Sequence, residues 1–308
     1  MTLRIGVPDL ISPSYFPAIA AVELGFFAAE GLDARIELVF PVTKTYQEQA
    51  DGAIDFVAGS AHAALYVYQN WAGCKLVCAL SQNMYWFLVV RSDLEPRGAD
   101  LDVLRGLRIA AAPGPVDGLR RMLHEARLDP DRDLDIVPVP GSHGAGVSFG
   151  VSAARALETG AVDGFWANGM GAQVAVDGGF GTVLIDARRG DGPDGAVDYT
   201  FPAMVATDDR IENDRDTVAG AVRAIVAAQK ALKEDPSRAE EAAAGHFPAQ
   251  ERSLITELVR RDAPFYDPSI PEPKVEAMNR FSEGIGILGS HRVDYHQVVA
   301  TGFESIWR

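Results

Sequence analysis

A short phrase that occurs twice constrains the fold of this chain more than any other feature. Residues 52–56 read GAIDF, and residues 160–165 read GAVDGF. Each copy follows a helix-like stretch and begins a predicted buried strand, over 53–58 or 161–166. A loop of small residues follows each strand and opens another helix. Two similar α/β halves predict two lobes with a cleft between them. A cleft lined by strand ends and helix N-termini is suited to binding a small molecule.

Composition and charge narrow the class of protein and of partner. The chain has 308 residues, of which 47% are hydrophobic and 23% charged, and its formal net charge is −15. This length predicts about two domains. An acidic surface repels nucleic acids and anionic membranes, so we expect neither as a partner. The longest apolar stretch near the N-terminus is far shorter than the ~20 residues that span a bilayer, which predicts no membrane insertion.

The N-terminal residues bear on the cellular location. The chain opens directly into a predicted strand over 3–7, and no basic region followed by an apolar one precedes that strand. We therefore expect either a cytoplasmic protein or a periplasmic protein whose signal peptide has been removed.

The two cysteines are predicted to be buried free thiols. Cys74 and Cys78 lie four positions apart along a predicted strand. Their Cα atoms would then be roughly 13 Å apart, which is beyond the reach of a disulfide bond. No histidine or third cysteine stands near them in the sequence, so a metal site or a nucleophilic role is the weaker interpretation.

Strand and helix patterns alternate along the first two thirds of the chain. Such alternation predicts the α/β class, with mostly parallel sheets covered on both faces. Residues 1–91 are predicted to form the first part of lobe I, 92–198 lobe II, and 199–308 the return to lobe I followed by a helical C-terminal tail. Strand-like runs near 91–93 and 199–201 would carry the chain between the lobes and form a hinge.

Four segments resemble a known family of binding proteins. Residues 16–33 (FPAIAAVELGFFAAEGLD) resemble its opening pattern A-x-x-x-G-F-F-x-x-E-G-L-D-V, and 52–56 its G-x-x-D-F. Residues 104–110 (LRGLRIA) are similar to L-x-G-x-x-I-A, and 156–163 (ALETGAVD) to A-L-x-x-G-x-V-D-A, with Gly164 in place of the final Ala. The family is the nitrate/sulfonate/taurine and thiamine-precursor (NMT1/THI5-like) group of type II periplasmic binding proteins.

The resemblance implies a fold and a function. It implies the type II periplasmic-binding-protein fold, in which two α/β lobes are joined by a two-strand hinge and close on a single ligand. The expected ligand is a sulfonate, a carboxylate, or an aromatic or heterocyclic compound. The expected protein is a monomer without a cofactor or a metal ion, which delivers its ligand to the permease of an ABC importer.

The alternative is a cytoplasmic enzyme on the same scaffold that acts on a small heterocyclic or aromatic acid. Thiamine-pyrimidine synthases of the superfamily carry a lysine that binds pyridoxal phosphate, and Gly59 occupies the matching position here. Desulfinases of this fold need a cysteine in the first loop, where this chain has Ser12 and Ser14. Common hydrolase, nucleotide-binding and metal motifs do not occur in the sequence either. We therefore expect a binding protein rather than an enzyme.

Loops after the first two strands of lobe I supply the first candidate ligand-binding residues. Ser12, Ser14 and Tyr15 lie between the first strand and the first helix. Capping of that helix by Ser12 or Ser14 is an equally good interpretation. Lys44 follows the next strand and could pair with an anionic group of the ligand, although a solvated surface lysine has the same pattern.

The first copy of the repeated phrase supplies the strongest candidates. Gly59, Ser60 and Ala61 follow it, and Ser60 lies at the start of a predicted helix over 61–70. Glycine permits close approach of a ligand to the backbone, and a serine at a helix start presents a hydroxyl there. His62 is interpreted as a structural histidine.

In lobe II the candidates come from two helix starts. Gly114 and Val116 open the first helix of that lobe, where Gly114 would leave backbone amides exposed. Asn168 follows the second copy of the repeated phrase. The Gly-rich residues 141–150 are interpreted as a rim of the cleft.

Aromatic residues concentrate where the predicted cleft lies. They are Tyr15, Tyr85, Trp86, Trp166 and Tyr199. Packing in the lobe core is an equally good interpretation of each ring, but several together favour a flat or partly apolar ligand over a bare inorganic ion. Since Ser60 and Trp166 follow equivalent copies of the phrase, we expect both to contact the same ligand.

Overall fold

The protein divides into two compact units, each with its own sheet. A computed structural model describes residues 2–9, 14–96, 98–139, 149–247, 249–289 and 293–308. One unit consists of Met1–Asn83 together with Thr200–Arg308, and the other of Met84–Tyr199.

Strands occur in both units and are numbered along the chain. Those of the described residues are β1 (Leu3–Val7), β2 (Ala34–Leu38), β3 (Phe56–Ser60), β4 (Cys74–Ala79), β5 (Phe87–Arg91), β6 (Arg108–Ala111), β7 (Asp135–Val137), β8 (Gly164–Ala167), β9 (Gly181–Asp186) and β10 (Pro202–Thr207).

Helices connect the strands and form the C-terminal tail. The α-helices of the described residues are α1 (Phe16–Glu23), α2 (Phe26–Ala29), α3 (Val42–Ala50), α4 (Pro115–Glu125), α5 (Phe149–Glu158), α6 (Gly169–Asp177), α7 (Asp208–Asn213), α8 (Arg215–Glu234), α9 (Arg238–Ala243), α10 (Ala249–Asp262), α11 (Glu272–Gly284) and α12 (Tyr295–Val298). None of them, within the described parts of the chain, is both long and apolar enough to cross a membrane.

The two sheets have the same strand order. The first unit has the order β2-β1-β3-β10-β4, and the second has β7-β6-β8-β5-β9. In each sheet one strand, β10 or β5, runs antiparallel to both of its neighbours, while the other strands are parallel to one another. The predicted α/β class with two similar halves is confirmed. The helical tail after β10 belongs to the first unit, as predicted, and its α8 packs against α1 and α2.

The repeated phrase forms a turn before each strand rather than the start of the strand. Gly52 and Gly160 have positive φ angles of 77° and 72° and follow the ends of α3 and α5. Glycine adopts this left-handed conformation without steric cost, which explains why each copy begins with it. The strands themselves begin at Phe56 and Gly164, later than the predicted starts at 53 and 161. The difference arises because Ile54 and Val162 are buried although they lie in the turn.

An arginine–aspartate pair anchors each copy of the phrase. The carboxylate of Asp55 accepts hydrogen bonds from the backbone N–H of Arg4 at 2.8 Å and from its Nε at 2.9 Å. The carboxylate of Asp163 accepts the equivalent bonds from Arg108, at 2.9 and 3.2 Å. Each guanidinium also donates to the carbonyl of the phrase's first glycine. Both pairs lie where the parallel strands of their sheet begin, which we call the amino edge.

Strand β5 changes the expected boundary between the units. The apolar run that ends at Arg91 pairs along its whole length with β8 and β9. The first crossing therefore lies at Asn83–Met84, before this strand, rather than after it at 91. The second crossing lies at Tyr199–Thr200, next to the expected position.

The predicted helix over 61–70 is a pair of short 3₁₀ segments, Ala61–Tyr66 and Gln69–Trp71. Asn70 and Trp71 both have positive φ angles, of 53° and 63°, which a regular helix does not contain. Tertiary packing overrides the helical pattern here, because Trp71 is buried and its Nε1 donates to Asn279 Oδ1 at 3.2 Å.

Both cysteines lie on β4, where the sequence placed them. The thiols of Cys74 and Cys78 are free and fully buried. Burial raises the pKa of both thiols well above the usual range, because the thiolate form is poorly solvated there.

Candidate functional site

The candidate residues of the second unit gather where its parallel strands end, which we call the carboxyl edge. Phe87, the first residue of β5, pairs with Ala167 at the end of β8 and with Asp186 at the end of β9. Ala111, at the end of β6, pairs with Trp166. Residues that follow β6, β8 and β9, and those that precede β5, therefore meet at one edge of the sheet, the usual position of binding sites in α/β folds.

Three aromatic rings form a row at this edge. The ring centroids of Tyr85 and Trp86 are 4.6 Å apart, and those of Trp86 and Trp166 are 6.0 Å apart. All three side chains are buried. The indole Nε1 of Trp166 donates to the carbonyl of Pro115 at 2.8 Å, which fixes this ring against the start of α4. The structure thus brings together three of the five aromatic residues that the sequence singled out.

Tyr199 has a different environment. Its hydroxyl donates to Glu125 at the end of α4, and Glu125 also accepts from Arg121 Nε at 2.7 Å. Burial, followed by the hydrogen bond and charge of Glu125, raises the pKa of Tyr199 well above its usual range. The residue therefore remains a neutral phenol that holds the end of the second unit against α4.

Arg188 lies beside Tyr85 at the end of this row and was not identified from the sequence. Its guanidinium carbon lies 5.8 Å from the centroid of the Tyr85 ring, within range of a cation–π interaction. The residue is only 3% exposed. The sequence could have pointed to the loop that contains Arg188. Because β9 is parallel to β8, the loop after β9 must reach the same edge of the sheet as the loop after β8. The sequence does not show which of Arg188 and Arg189 points inward, because that depends on packing around a single 3₁₀ turn.

The remaining candidates of this unit are backbone or capping residues. Gly114 precedes α4 with a φ angle of 90°, and the amide of Val116 donates to Ala112 O at 3.0 Å. The side chain of Asn168 accepts from the amides of Met170 and Gly171 at 3.1 and 3.3 Å. Asn168 is thus the N-cap of α6. Residues 141–148 of the predicted rim lie outside the described residues.

Ser60 is the most informative candidate of the first unit. It ends β3 at the carboxyl edge and is fully buried. Its carbonyl accepts a hydrogen bond from the Tyr46 hydroxyl at 3.0 Å. Its own hydroxyl has no hydrogen-bond partner among the described residues. Leaving a buried hydroxyl unpaired costs roughly 1–3 kcal/mol, so such a group in a folded protein calls for an explanation such as a bound water or ligand.

The neighbours of Ser60 have structural contacts. A Cβ added to Gly59 would lie 3.1 Å from Cγ2 of Val42, so the packing of α3 accounts for glycine there. The amide of Ala61 donates to Phe201 O at 2.9 Å. His62 lies 2.9 Å from the Thr200 hydroxyl through Nδ1, and its ring packs edge-on against Phe281, as expected for a structural histidine.

The other candidates of the first unit that the structure describes lie immediately before α1 or on α3. Ser14 and Tyr15 are buried immediately before α1, and Tyr15 provides no side-chain cap to that helix. Ser12 lies outside the described residues. The side chain of Lys44 is 61% exposed and forms an ion pair with Glu48 at 3.6 Å. This environment is typical of a solvated surface lysine.

Comparison with known proteins identifies the family and the fold. A family model described as NMT1/THI5 like matches residues 12–239. A comparison with curated protein sequences gave no match. The alkanesulfonate-binding protein SsuA from Xanthomonas axonopodis pv. citri, solved with bound MOPS, has a TM-score of 0.73 and is 14% identical, over 96% of this chain and 97% of its own.

Two further structures share the fold. The periplasmic nitrate-binding protein NrtA from Synechocystis PCC 6803 has a TM-score of 0.72 and is 14% identical, over 100% of this chain and 87% of its own. The desulfurization enzyme DszB has a TM-score of 0.65 and is 16% identical, over 99% of this chain and 97% of its own. The shared architecture is therefore that of periplasmic binding proteins, and an enzyme uses it as well.

Proposed function

Because this chain belongs to the NMT1/THI5-like family, we propose that it is a solute-binding protein that binds a small organic molecule and delivers it to an ABC importer. The proposed solute is a sulfonate, a carboxylate, or an aromatic or heterocyclic compound. The protein would act as a monomer on the outer side of the cytoplasmic membrane, where an importer takes up its substrate.

The observation that carries this proposal is the buried hydroxyl of Ser60. It lies at the end of a parallel strand, where α/β folds bind ligands, and it has no hydrogen-bond partner among the described residues. A polar group of a bound solute would complete its hydrogen bonding. The free energy otherwise lost to the unpaired hydroxyl would then contribute to binding.

The likeness to DszB makes a second candidate, an enzyme on the same scaffold, worth weighing. The two cysteines of the chain lie on β4 with fully buried thiols and raised pKa values. A thiol of that kind is a poor nucleophile, because the thiolate is the reactive form. This observation favours binding over thiol-dependent catalysis.

A thermal-shift screen over sulfonates, carboxylates, pyrimidines and aromatic acids tests the proposal. A solute at ~100 times its Kd stabilises the folded state by about 2.7 kcal/mol and raises the melting temperature. We expect Ser60→Ala to weaken binding of the active compound about tenfold. Ser282→Ala is the matched control, because Ser282 is equally buried but donates to the Met278 carbonyl within α11. A screen without a stabilising solute, or equal affinities of wild type and Ser60→Ala, contradicts the proposal.

Delivery to an importer has a separate test. Cells that lack the gene should take up the identified solute more slowly than the parent strain. The wild-type gene should restore uptake, and the Ser60→Ala gene should restore it only at higher solute concentration. Normal uptake in the deletion strain would contradict the transport role while leaving binding in place. Release of ammonia, sulfite or another product from the bound solute would instead support the enzyme.

A further inference from the structure

Arg188 is unusual among the charged residues of this protein because the fold buries it. Within the described parts of the chain it is the only arginine or lysine that is buried, at 3% exposure. Burial of a guanidinium is uncommon, because removing its charge from water costs free energy. The adjacent Arg189 shows the ordinary behaviour, since its side chain is 52% exposed and pairs with Asp186 at 3.2 Å. The turn after β9 thus places one of two neighbouring arginines inside the carboxyl edge.

Arg188 lies at one end of the row of aromatic rings. Its guanidinium lies over the ring of Tyr85, Tyr85 contacts Trp86, and Trp86 contacts Trp166. Tyr85 and Trp86 provide two adjoining apolar rings, inclined at 46° to each other, while the guanidinium provides a planar fork of five N–H donors. Five donors are enough to hold a protein group and the oxygens of a ligand at the same time. The arrangement joins a cationic end to an apolar surface.

We infer that this edge of the second unit recognises an aromatic organic anion, with Arg188 as the residue that binds the carboxylate or sulfonate. The ring of the anion would lie on Tyr85 and Trp86, and two of its oxygens would accept hydrogen bonds from the guanidinium fork. This inference rests on the proposed solute-binding function and narrows its ligand class. It also replaces Lys44 as the cation that pairs with the ligand.

Pairs of compounds that differ only in charge test the inference. The probes are benzenesulfonate with benzenesulfonamide, and benzoate with benzamide, titrated by calorimetry into the wild-type protein. We expect the anion of a pair to bind at least about tenfold more tightly than the neutral compound, because charge-assisted hydrogen bonds are the stronger ones. Arg188→Gln should weaken binding of the anion by about tenfold to a hundredfold and change binding of the neutral compound by about twofold or less.

Two variants separate this role from a structural one. Arg189→Gln removes the neighbouring, exposed charge and should leave both affinities within about twofold of wild type. Arg188→Lys keeps the charge but loses the planar fork, so its affinity for the anion should lie between those of wild type and Arg188→Gln. Melting curves without ligand establish that each variant is folded. If Arg188→Gln does not fold, the Arg188→Lys variant and the wild-type ratio of anion to neutral affinity carry the test.

The outcomes distinguish this inference from the proposed function. An equal ratio of anion to neutral affinity in the wild type and Arg188→Gln would show that Arg188 does not bind the anion. A wild-type protein that binds no member of either pair overturns the aromatic-anion assignment. If that protein still binds another solute of the thermal-shift screen, the proposed function stands. If the protein binds no solute of the screen, the aromatic-anion assignment and the proposed function are both wrong.

Discussion

The two sheets of this protein are built alike at their amino edges and differently at their carboxyl edges. At both amino edges an arginine of the first strand holds the aspartate of the GAID or GAVD turn, Arg4 with Asp55 and Arg108 with Asp163. At the carboxyl edges, the first sheet ends in the buried hydroxyl of Ser60, whereas the second has aromatic rings and Arg188. One scaffold is thus used twice, and the residues that suit ligand chemistry are divided between the two copies.

The strongest way to sharpen this comparison is to neutralise each aspartate. The carboxylate of each aspartate pairs with two arginines. The side chain of Asp55, however, is only 5% exposed, whereas that of Asp163 is 22% exposed. We expect Asp55→Asn to lower the free energy of unfolding by about 3 kcal/mol, because it removes the charge-assisted hydrogen bonds that Arg4 and Arg210 donate to a buried carboxylate. Asp163→Asn should cost about 1 kcal/mol, as for exposed ion pairs. Urea unfolding measures both values, and equal costs would break the comparison.

Acid should weaken the same two contacts. Burial pushes the pKa of each aspartate upward, but hydrogen bonds from Arg4 to Asp55 and from Arg108 to Asp163 outweigh it, so both pKa values lie below their usual value near 3.8. A carboxylate with a lowered pKa in the folded state stabilises the fold above its unfolded pKa and loses that contribution as the pH falls through the folded one. The stability difference between wild type and Asp55→Asn should therefore shrink between pH 5 and strongly acidic pH. A constant difference in urea unfolding over that range would contradict this account.

Trp166→Phe tests how the rings of the second unit are held. The substitution keeps an aromatic ring but removes the hydrogen bond from Nε1 to the Pro115 carbonyl. We expect a loss of about 2 kcal/mol in the free energy of unfolding, because the hydrogen bond is lost and the smaller ring leaves a cavity at this fully buried position. A variant as stable as wild type would show that this bond does not anchor the start of α4.

Ser60→Ala should have the smallest effect on stability and the opposite sign. Without a ligand the substitution removes a buried hydroxyl that lacks a partner among the described residues, so stability should stay the same or rise by up to about 1 kcal/mol. The control Ser282→Ala removes a satisfied hydrogen bond and should cost about 1 kcal/mol. Equal losses in the two variants, measured by thermal unfolding, would mean that the Ser60 hydroxyl is already satisfied in the free protein.

Local patterns predicted much of this fold. The repeated phrase correctly predicted two similar α/β halves. In both copies its glycine adopts the positive φ angle of the turn, and its aspartate accepts hydrogen bonds from an arginine of the first strand. The start of each strand was placed too early, since residues such as Ile54 are buried in a turn, and burial alone does not distinguish a turn from a strand. The boundary near Arg91 was displaced because the sheet that β5 joins is decided by residues far away in the sequence.

The candidate site was less predictable than the fold. The grouping of Tyr85, Trp86 and Trp166 follows from strand ends that meet at one edge, which the alternation of strands and helices already indicates. Arg188 could not be chosen over Arg189, because only packing around the turn after β9 distinguishes them. The state of the Ser60 hydroxyl could not be read from the sequence either, since it depends on which groups surround it in space.

Calorimetric titration of one identified solute into wild type, Ser60→Ala and Trp166→Ala tests the central claim most directly. The claim is that residues following equivalent copies of the repeated phrase bind the same ligand, which so far remains a prediction from the sequence. We predict that Trp166→Ala weakens binding by about 1–3 kcal/mol, or roughly tenfold to a hundredfold in Kd, through lost burial of the ring. Ser60→Ala should weaken binding of the same solute about tenfold. Unchanged affinity in both variants would contradict the claim.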